Sequence, residues 1–264
     1  MGDRVEHQTF WESRLSADWT DAGVGYRHLG RAFNAWTYRV REEVFHREVA
    51  RLGIDVSRAR VLDVGSGTGR YVRAWQQAGA PSITGCDLTE AAVQRLREQF
   101  PDVRFVHADV GAMTGVFERA SYDAVSCMDV LFHITDDEHY GRALHNLARV
   151  IRPGGALVLS ENFLRRGEQR AERQVNRSLG TIRAGLENAG FRIVRRVPLL
   201  VLMNAQVDAP YVWRKLWGGV LRAATVTEPT GWLAGSALYP LERRLTRWLR
   251  ESPTTELMVC SRAG

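Results

Sequence analysis

The segment VLDVGSGTGRY, residues 61–71, decides the class of fold. A short apolar run ends in Asp63, and glycines at residues 65, 67 and 69 then lead into a helical pattern. Glycine lets the backbone turn tightly and lets a ligand approach closely. In an open α/β sheet, such a turn lies at the carboxyl ends of the strands, where ligands bind. The segment therefore predicts the first strand, turn and helix of a ligand-binding α/β sheet.

Strand and helix patterns alternate after this turn, which predicts a parallel sheet covered by helices on both faces. The predicted strands are residues 60–64, 82–87, 103–109, 123–128, 156–162, 191–203 and 255–261. Thr89 is the predicted N-cap of the helix that follows the second strand. We expect a single domain over residues 1–264, with a helical lid (1–57), a ligand-binding core (58–204), a helical insertion (205–253) and a final strand (254–264).

The insertion carries two amphipathic helical patterns, Trp213–Ala224 and Leu238–Leu249, which Gly231–Gly235 are predicted to separate. Its apolar positions are rich in tryptophan and leucine, and its polar positions are mostly arginine. One interpretation is the roof of a pocket for a flat or apolar small molecule. A second is a basic amphipathic surface that approaches an anionic lipid. A third is a lid that packs on the core and leaves a solvated basic face.

The net charge of +6 does not indicate nucleic-acid binding, because acidic residues are interleaved with basic ones along most of the chain. Only one of the 36 basic residues, Lys215, is a lysine, a bias typical of a GC-rich genome. Cys86, Cys127 and Cys260 form no CxxC pair, so neither a zinc site nor a disulfide framework is expected. The charged first residues lack the apolar run of a signal peptide, and no run reaches ~18 apolar residues, so we expect a cytoplasmic protein.

Two cofactor classes use a glycine turn of this kind. The dinucleotide fingerprint is GxGxxG, but Arg70 stands where its third glycine belongs, and the Asp63 carboxylate would repel a pyrophosphate. A carboxylate there suits an ammonium or sulfonium ligand. VLDVGSGTG resembles the first motif of class I S-adenosylmethionine-dependent methyltransferases, and the resemblance covers residues 58–200 and the final strand. It implies a doubly wound, seven-stranded, mostly parallel sheet whose last strand is antiparallel.

The resemblance implies that the loop with Gly65, Ser66, Gly67 and Gly69 wraps the amino-acid and ribose portion of S-adenosylmethionine. Further cofactor contacts are implied, in chain order, for Asp63 (the methionine ammonium), Asp87 (the ribose hydroxyls), Leu88 (the adenine face), Asp109 (the adenine amine), Val110 (the adenine ring) and Met128 (the methionine side).

Two residues of the N-terminal layer are candidates for the cofactor site with ordinary packing or solvation as the alternative. Tyr26 lies in a glycine-rich segment where family members often have a lid, and Arg39 is a candidate partner of the methionine carboxylate. S-adenosylhomocysteine would be the product.

His133 and Glu161 are the candidates for catalysis. Methyl transfer depends mainly on alignment, and a base is needed only when the nucleophile carries a proton of high pKa. His133 follows the fourth strand near the expected methyl group and is also a cofactor-contact candidate, with a packed or helix-capping histidine as the alternative. Glu161 ends the fifth strand, and its alternative is a solvated loop carboxylate.

We expect a small organic acceptor, an aromatic or apolar natural product, as in secondary-metabolite biosynthesis. A lipid or lipid-linked glycan is the alternative, although contact with a membrane surface is not favoured. From other classes, an NAD(P)-dependent oxidoreductase and a catalytically silent cofactor-binding module stay open. Nucleic acid is not an expected partner.

Overall fold

The structure is a computed structural model that describes residues 2–25, 27–165 and 167–264. Its nine strands, in chain order, are β1 (Arg60–Val64), β2 (Ser82–Asp87), β3 (Arg104–His107), β4 (Tyr122–Met128), β5 (Ile151–Glu161), β6 (Gln169–Ala171), β7 (Gln174–Asn176), β8 (Phe191–Pro198) and β9 (Glu256–Arg262). Its nine α-helices are α1 (Gly2–Ala17), α2 (Asp21–Val24), α3 (Gly30–Val49), α4 (Arg70–Gln77), α5 (Glu90–Gln99), α6 (Asp137–Val150), α7 (Leu179–Asn188), α8 (Tyr211–Ala224) and α9 (Glu228–Trp248). These counts refer to the described residues.

Seven strands form the main sheet in the order β3-β2-β1-β4-β5-β9-β8. The pairs from β3 to β5 are parallel, whereas β9 is antiparallel to both β5 and β8. The predicted doubly wound sheet with an antiparallel last strand is therefore confirmed. It differs from the usual dinucleotide-binding order, in which the sixth strand follows the fifth at the edge.

Strand β1 lies in the centre of this sheet and is buried on both faces, as continuous apolar parallel strands usually are. Leu62 and Val64 pack in the core beneath α6, and Val61 packs in the opposite core with α3 and α4. Asp63 shares the face of Val61, because side chains alternate along a strand. The strands β1 and β2 have the predicted bounds, and Thr89 caps α5 by accepting a hydrogen bond from Ala92 N.

The sixth predicted strand is shorter than expected. It ends at Pro198, although apolar residues continue to Met203. The backbone N–H groups of Val201, Leu202 and Met203 donate to the Glu242 carboxylate of α9 at 2.6, 2.9 and 3.2 Å. The Glu242 side chain thus accepts the backbone hydrogen bonds that a neighbouring strand would otherwise accept. The charged segment after β5 also forms an unpredicted hairpin, β6 with β7.

The predicted break between the two insertion helices was wrong. Gly231 and Gly235 lie inside α9, and the break falls at residues 225–227, where the Thr227 side chain caps α9. A Cβ atom on Gly235 would lie 2.4 Å from Trp36 Cδ1 of α3. These glycines therefore allow α9 to approach α3 closely, and they do not end a helix. No helix of the described residues is both long and apolar enough to cross a membrane.

We expect Gly235→Ala to reduce the free energy of unfolding by about 1–3 kcal/mol, because the added methyl group overpacks the contact with Trp36. Gly219→Ala in α8 is the matched control. Apart from its chain neighbours and the surrounding backbone of α8, no heavy atom of the described chain would lie within 4 Å of the added Cβ, and alanine favours the helix by about 1 kcal/mol. Urea unfolding of both variants measures the difference. Equal effects would contradict the close packing of α3 on α9.

Candidate functional site

A cavity of about 510 Å³ lies at the carboxyl ends of β1, β2 and β4, within the usual range of ligand pockets, ~300–1,000 Å³. Helices α1 and α3 contribute to its wall. The lining residues are His7, Trp11, Leu15, Val24, Tyr38, Val64, Gly65, Ser66, Gly67, Thr68, Arg70, Tyr71, Asp87, Leu88, Ala108, Asp109, Val110, Met128, Asp129, Val130, His133, Ile134, Thr135, Asp136, His139 and Arg142.

The glycine loop after β1 is held by the end of β2. Gly65 N and Ser66 N both donate to the Cys86 carbonyl, at 2.8 and 3.0 Å, and Gly67 N donates to Asp87 Oδ2 at 2.9 Å. Gly65 has a φ of +71°, and a Cβ atom there would lie 2.2 Å from Val130 Cγ2. Glycine is required at residue 65 for both reasons. The loop therefore presents its backbone to the cavity.

Asp87 belongs to the cavity wall and also fixes the loop. Its Oδ1 accepts from Thr89 N at 3.0 Å and from Thr89 Oγ1 at 2.8 Å, besides the Oδ2 contact with Gly67. Burial raises the pKa of its carboxyl group, and the hydrogen bonds from Gly67 and Thr89 oppose that rise. A carboxylate offers about four acceptor positions, so one remains beside these three described contacts.

Asp63 lies beneath the cavity and is not among the described residues that line it. Its Oδ1 accepts from Ser126 Oγ at 2.5 Å, and Trp75 Nε1 donates to the same hydroxyl at 2.9 Å. Oδ2 is buried and has no hydrogen-bond partner among the described residues. Burial raises the pKa of Asp63 to about 7. An unpaired buried carboxylate oxygen favours a cationic or hydrogen-bond-donating ligand nearby.

Asp109 lines the cavity together with a histidine that sequence reasoning missed. His139 Nε2, on the first turn of α6, lies 3.0 and 3.1 Å from the two Asp109 oxygens, and Gly111 N donates to Oδ1 at 2.8 Å. A Cβ atom on Gly111 would lie 2.3 Å from His139 Cε1. Only the tertiary fold brings this imidazole to the end of β3, because Asp109 follows that strand and His139 belongs to α6, 30 residues further along the chain.

The other end of the cavity contains an ion pair that the sequence did not indicate. Asp129 has a φ of +59°, pairs with the buried Arg41 of α3, and accepts from Ser160 Oγ at 2.8 Å. Arg70 lines the same end, pairs with Glu42, and lies over the Tyr38 ring at 4.5 Å. These contacts hold the strained residue 129 in place.

The predicted role of Arg39 at this cavity is not supported by its position. Arg39 is exposed on the other side of α3, where its guanidinium lies 4.9 Å from the Tyr239 ring centre and 5.5 Å from that of Trp36. Because each helical residue advances by about 100°, residues 39 and 41 face opposite sides. Arg70, which lines the cavity, and Arg41, which pairs with the lining residue Asp129, are therefore the guanidinium groups at this end.

His133 lines the cavity within an aromatic group. Its ring centre lies 4.9 Å from that of Trp11 and 5.8 Å from that of His7, both on α1. Its Nδ1 lies 3.2 Å from the Arg173 carbonyl oxygen, which can only accept, so Nδ1 carries the proton and Nε2 is an acceptor. Burial lowers the pKa of His133 to about 4, which keeps the ring neutral at neutral pH.

Glu161 is neither a solvated loop residue nor one of the described lining residues. It is fully buried at the end of β5, where Tyr140 Oη donates to Oε1 at 3.2 Å. Oε2 has no hydrogen-bond partner within the described chain. Burial raises the pKa of Glu161 to about 8, so the carboxyl group is mostly protonated at neutral pH. Its expected contact with an acceptor therefore finds no support in its position.

The predicted contact residues divide into three groups. Those that line the cavity are Gly65, Ser66, Gly67, Asp87, Leu88, Asp109, Val110, Met128 and His133. Four others are not among the described lining residues of the cavity: Asp63, Gly69, Arg39 and Glu161. Gly69 instead faces α5, where an added Cβ atom would lie 2.4 Å from Phe100 Cε2. Tyr26 lies outside the described residues. The lining residues that sequence reasoning missed include Tyr38, Tyr71, Asp129 and His139.

Comparison with known proteins matches residues 61–155 to the family described as Methyltransferase domain. The O-methyltransferase rstn1 of Aspergillus nomiae is 31% identical over 161 residues, which cover 56% of this chain and 68% of that protein. The ubiquinone biosynthesis O-methyltransferase of Pseudomonas aeruginosa is 36% identical over 104 residues, or 38% of this chain. The match spans only 43% of that enzyme's length.

The fold is also similar to that of a solved structure. The 1,6-didemethyltoxoflavin-N1-methyltransferase of Burkholderia thailandensis, solved with 1,6-didemethyltoxoflavin and S-adenosylhomocysteine, superposes with a TM-score of 0.52 and 19% identity. The superposition covers 86% of this chain and 79% of the other. At this identity the likeness concerns the fold alone.

We expect Glu161→Gln to become more stable than wild type as the pH rises. The folded pKa of about 8 exceeds the ordinary 4.5, so the native carboxyl group keeps a proton that the unfolded chain releases. The wild-type free energy of unfolding therefore loses up to about 1.4 kcal/mol per pH unit between these values, and glutamine removes that loss. Urea unfolding at pH 5.5, 7 and 8.5 measures it. Glu98→Gln, at an exposed position of α5, is the control, and parallel curves for Glu161→Gln and wild type would refute the assignment.

Proposed function

The chain belongs to the class I S-adenosylmethionine-dependent methyltransferases, and on this premise we propose that it methylates a hydroxyl oxygen of a small aromatic or apolar molecule. The cavity at the glycine loop carries this proposal, because one end has carboxylates and open backbone while the other has aromatic rings. The two relatives reported above are both O-methyltransferases by name, which supports oxygen as the acceptor atom. The chain's sheet order and family leave no support for the nicotinamide alternative.

The residues at the loop end fit S-adenosylmethionine. The unpaired Oδ2 of Asp63 suits the methionine ammonium, directly or through a bridging water, since a buried carboxylate oxygen gains from a cationic partner. Asp87 has one acceptor position left and would take one ribose hydroxyl. The backbone at Gly65 and Gly67 can be approached closely because no side chain covers it.

The adenine end of the proposed site is formed by Leu88, Asp109 and Val110. We assign the ring to the surface of Leu88, its exocyclic amine to the Asp109 carboxylate, and a ring nitrogen to the Val110 N–H. His139 holds both oxygens of Asp109 and so is a positioning residue for that contact. Arg70 takes the place that the sequence suggested for Arg39, near the methionine carboxylate.

The acceptor end of the proposed site is the aromatic wall of α1 and the residues after β4. When bound, the cofactor supplies an electrophilic methyl group. Trp11, Tyr71 and His133 would hold a flat acceptor, and His133 Nε2 would accept a hydrogen bond from its hydroxyl group and direct the oxygen lone pair. As the carbon–oxygen bond forms and the carbon–sulfur bond breaks, the acidified hydroxyl proton would pass along this hydrogen bond and on to water. A ring with a pKa of about 4 is a weak base, so orientation is its main contribution.

We expect S-adenosylmethionine to bind in calorimetry and Asp87→Asn to weaken that binding by about tenfold or more, since removing the acceptor oxygen's charge loses ~1.5–3 kcal/mol. Asp109→Asn should have a similar effect. Asp102→Asn, the same change at an exposed turn, should bind like wild type. Binding of NADH without S-adenosylmethionine binding would overturn the proposal.

We expect kcat/KM to be constant from about pH 5.5 upward until the acceptor itself ionises, and to fall as the pH drops through 4. The accepting form of His133 is complete well above its pKa of about 4 and is lost below it. His133→Phe should reduce kcat about 100-fold and His133→Asn less, because asparagine can still accept. The rate of S-adenosylhomocysteine release measures the activity of each protein. The acceptors tested are a catechol, a monophenol, an aniline and an alkyl alcohol. Inflection of the wild-type profile near 6.5, or equal activity of all three proteins, would contradict the assigned role.

A further inference from the structure

Helix α8 is attached to the protein along one narrow side. Trp217 Nε1 donates to the Leu202 carbonyl at 2.7 Å, and Leu221 is buried. Trp213 stacks on Trp217 with ring centres 5.8 Å apart and planes 13° from parallel. No other residue of this described helix is buried. Apart from Trp217 and Leu221, which pack on the core, the large apolar residues of α8 therefore do not serve core packing.

The outer side of α8 exposes a row of apolar residues. Val212, Leu216 and Val220 are 68%, 60% and 52% exposed and follow each other at spacings of four residues. Side chains at that spacing share one helix face. Trp213 adds an aromatic ring to the same side. Contiguous exposed apolar residues of this kind mark interaction surfaces.

The opposite flank of α8 is basic. Arg214, Lys215 and Arg222 line a pocket of about 220 Å³ together with His28 and Tyr211. Helix α8 contains no acidic residue, and none of the described residues that line the pocket is acidic. Burial and the charge of Arg222 lower the pKa of His28, as expected beside a concentration of cations. The pocket therefore favours an anion such as a phosphate group.

We propose that the outer side of α8 docks on an anionic lipid bilayer, with Val212, Leu216 and Val220 in the interface and lipid phosphate groups at Arg214, Lys215 and Arg222. Helices with an apolar face beside a basic face lie in this position in membranes. One guanidinium group can donate two parallel hydrogen bonds to two oxygens of the same phosphate group. The inference goes beyond the proposed methyl transfer and does not depend on it.

A second copy of the chain fits this surface less well. A symmetric dimer joins the same patch on both subunits. It would bring the three cations of α8 close to the same three cations of the other copy, with no acidic residue of either helix to pair with them. An anionic bilayer offers both an apolar interior and the opposite charge. Nucleic acid would match the positive charge of α8, but it would leave the apolar row of Val212, Leu216 and Val220 exposed to solvent.

The docking surface lies close to the cavity. Val24 lines the cavity and His28 lines the basic pocket. Four residues of chain can span at most about 14 Å, so the two Cα atoms are no farther apart than that.

Sedimentation with vesicles tests the proposal without cofactor or acceptor. Wild type should bind vesicles of 30% phosphatidylglycerol in phosphatidylcholine at moderate salt, and bind pure phosphatidylcholine much more weakly. The triple variant Arg214→Gln/Lys215→Gln/Arg222→Gln should lose about 100-fold in partitioning. Partitioning onto the anionic vesicles should also fall at least tenfold in the variant Val212→Gln/Leu216→Gln/Val220→Gln.

The matched control is Arg104→Gln/Arg119→Gln/Arg183→Gln, which removes the same charge from exposed residues outside α8 and α9. It should bind within about threefold of wild type. Circular dichroism confirms that each variant is folded. The proposal is overturned if wild type does not bind anionic vesicles, if the control loses as much as the α8 variants, or if wild type instead dimerises through residues 212, 216 and 220.

Discussion

The hydrogen bonds between the glycine loop and the end of β2 are the constraint on which the site depends. The Cys86 carbonyl accepts from Gly65 and Ser66, and the Asp87 carboxylate accepts from Gly67. These contacts use the last residues of the neighbouring parallel strand, so the loop can close only when β1 and β2 are paired in register. The binding loop therefore takes its shape only when β1 and β2 are correctly paired in the sheet. The cavity wall, the strand-end carboxylates and the position of α4 all follow from that loop.

Four carboxyl groups near the strand ends illustrate how environment assigns different roles to one chemical group. Asp87 is held by backbone and hydroxyl donors and faces the cavity, whereas Asp109 is held by an imidazole. Asp63 and Glu161 each have one oxygen that is hydrogen-bonded and one with no partner among the described residues, and burial raises their pKa values to about 7 and about 8. Whether each carboxyl group is charged depends on its burial and on the charges and hydrogen-bond donors beside it.

The helical layers differ in how they use their apolar residues. Helix α9 places Gly235 against Trp36 and packs closely on α3, so the helical pair behaves as a part of the core. Helix α1 contributes Trp11 to the cavity wall instead of to a core. Helix α8 leaves most of its apolar residues in solvent. The apolar residues of these three helices therefore form a core contact, a binding wall and an outer surface.

The sequence by itself determined the central sheet. The alternation of apolar runs with helical patterns, and the glycines at 65, 67 and 69, depend on local backbone preferences, so β1, β2 and the cap at Thr89 are found where these patterns predict them. That residues at the strand ends line one cavity could be predicted for the same reason, because parallel strands bring their carboxyl ends to one edge.

Tertiary structure alone decided which side chains meet across separate elements. The sequence suggested Arg39 for the cofactor site, but the orientation of α3 sends Arg39 toward Tyr239 and its near neighbour Arg41 toward Asp129. The same holds for His139 beside Asp109 and for Glu242 at the end of β8. A helical pattern states that a helix has an apolar face, but the packing of neighbouring elements decides whether that face is covered. For that reason the exposed row on α8 is visible only in the folded chain.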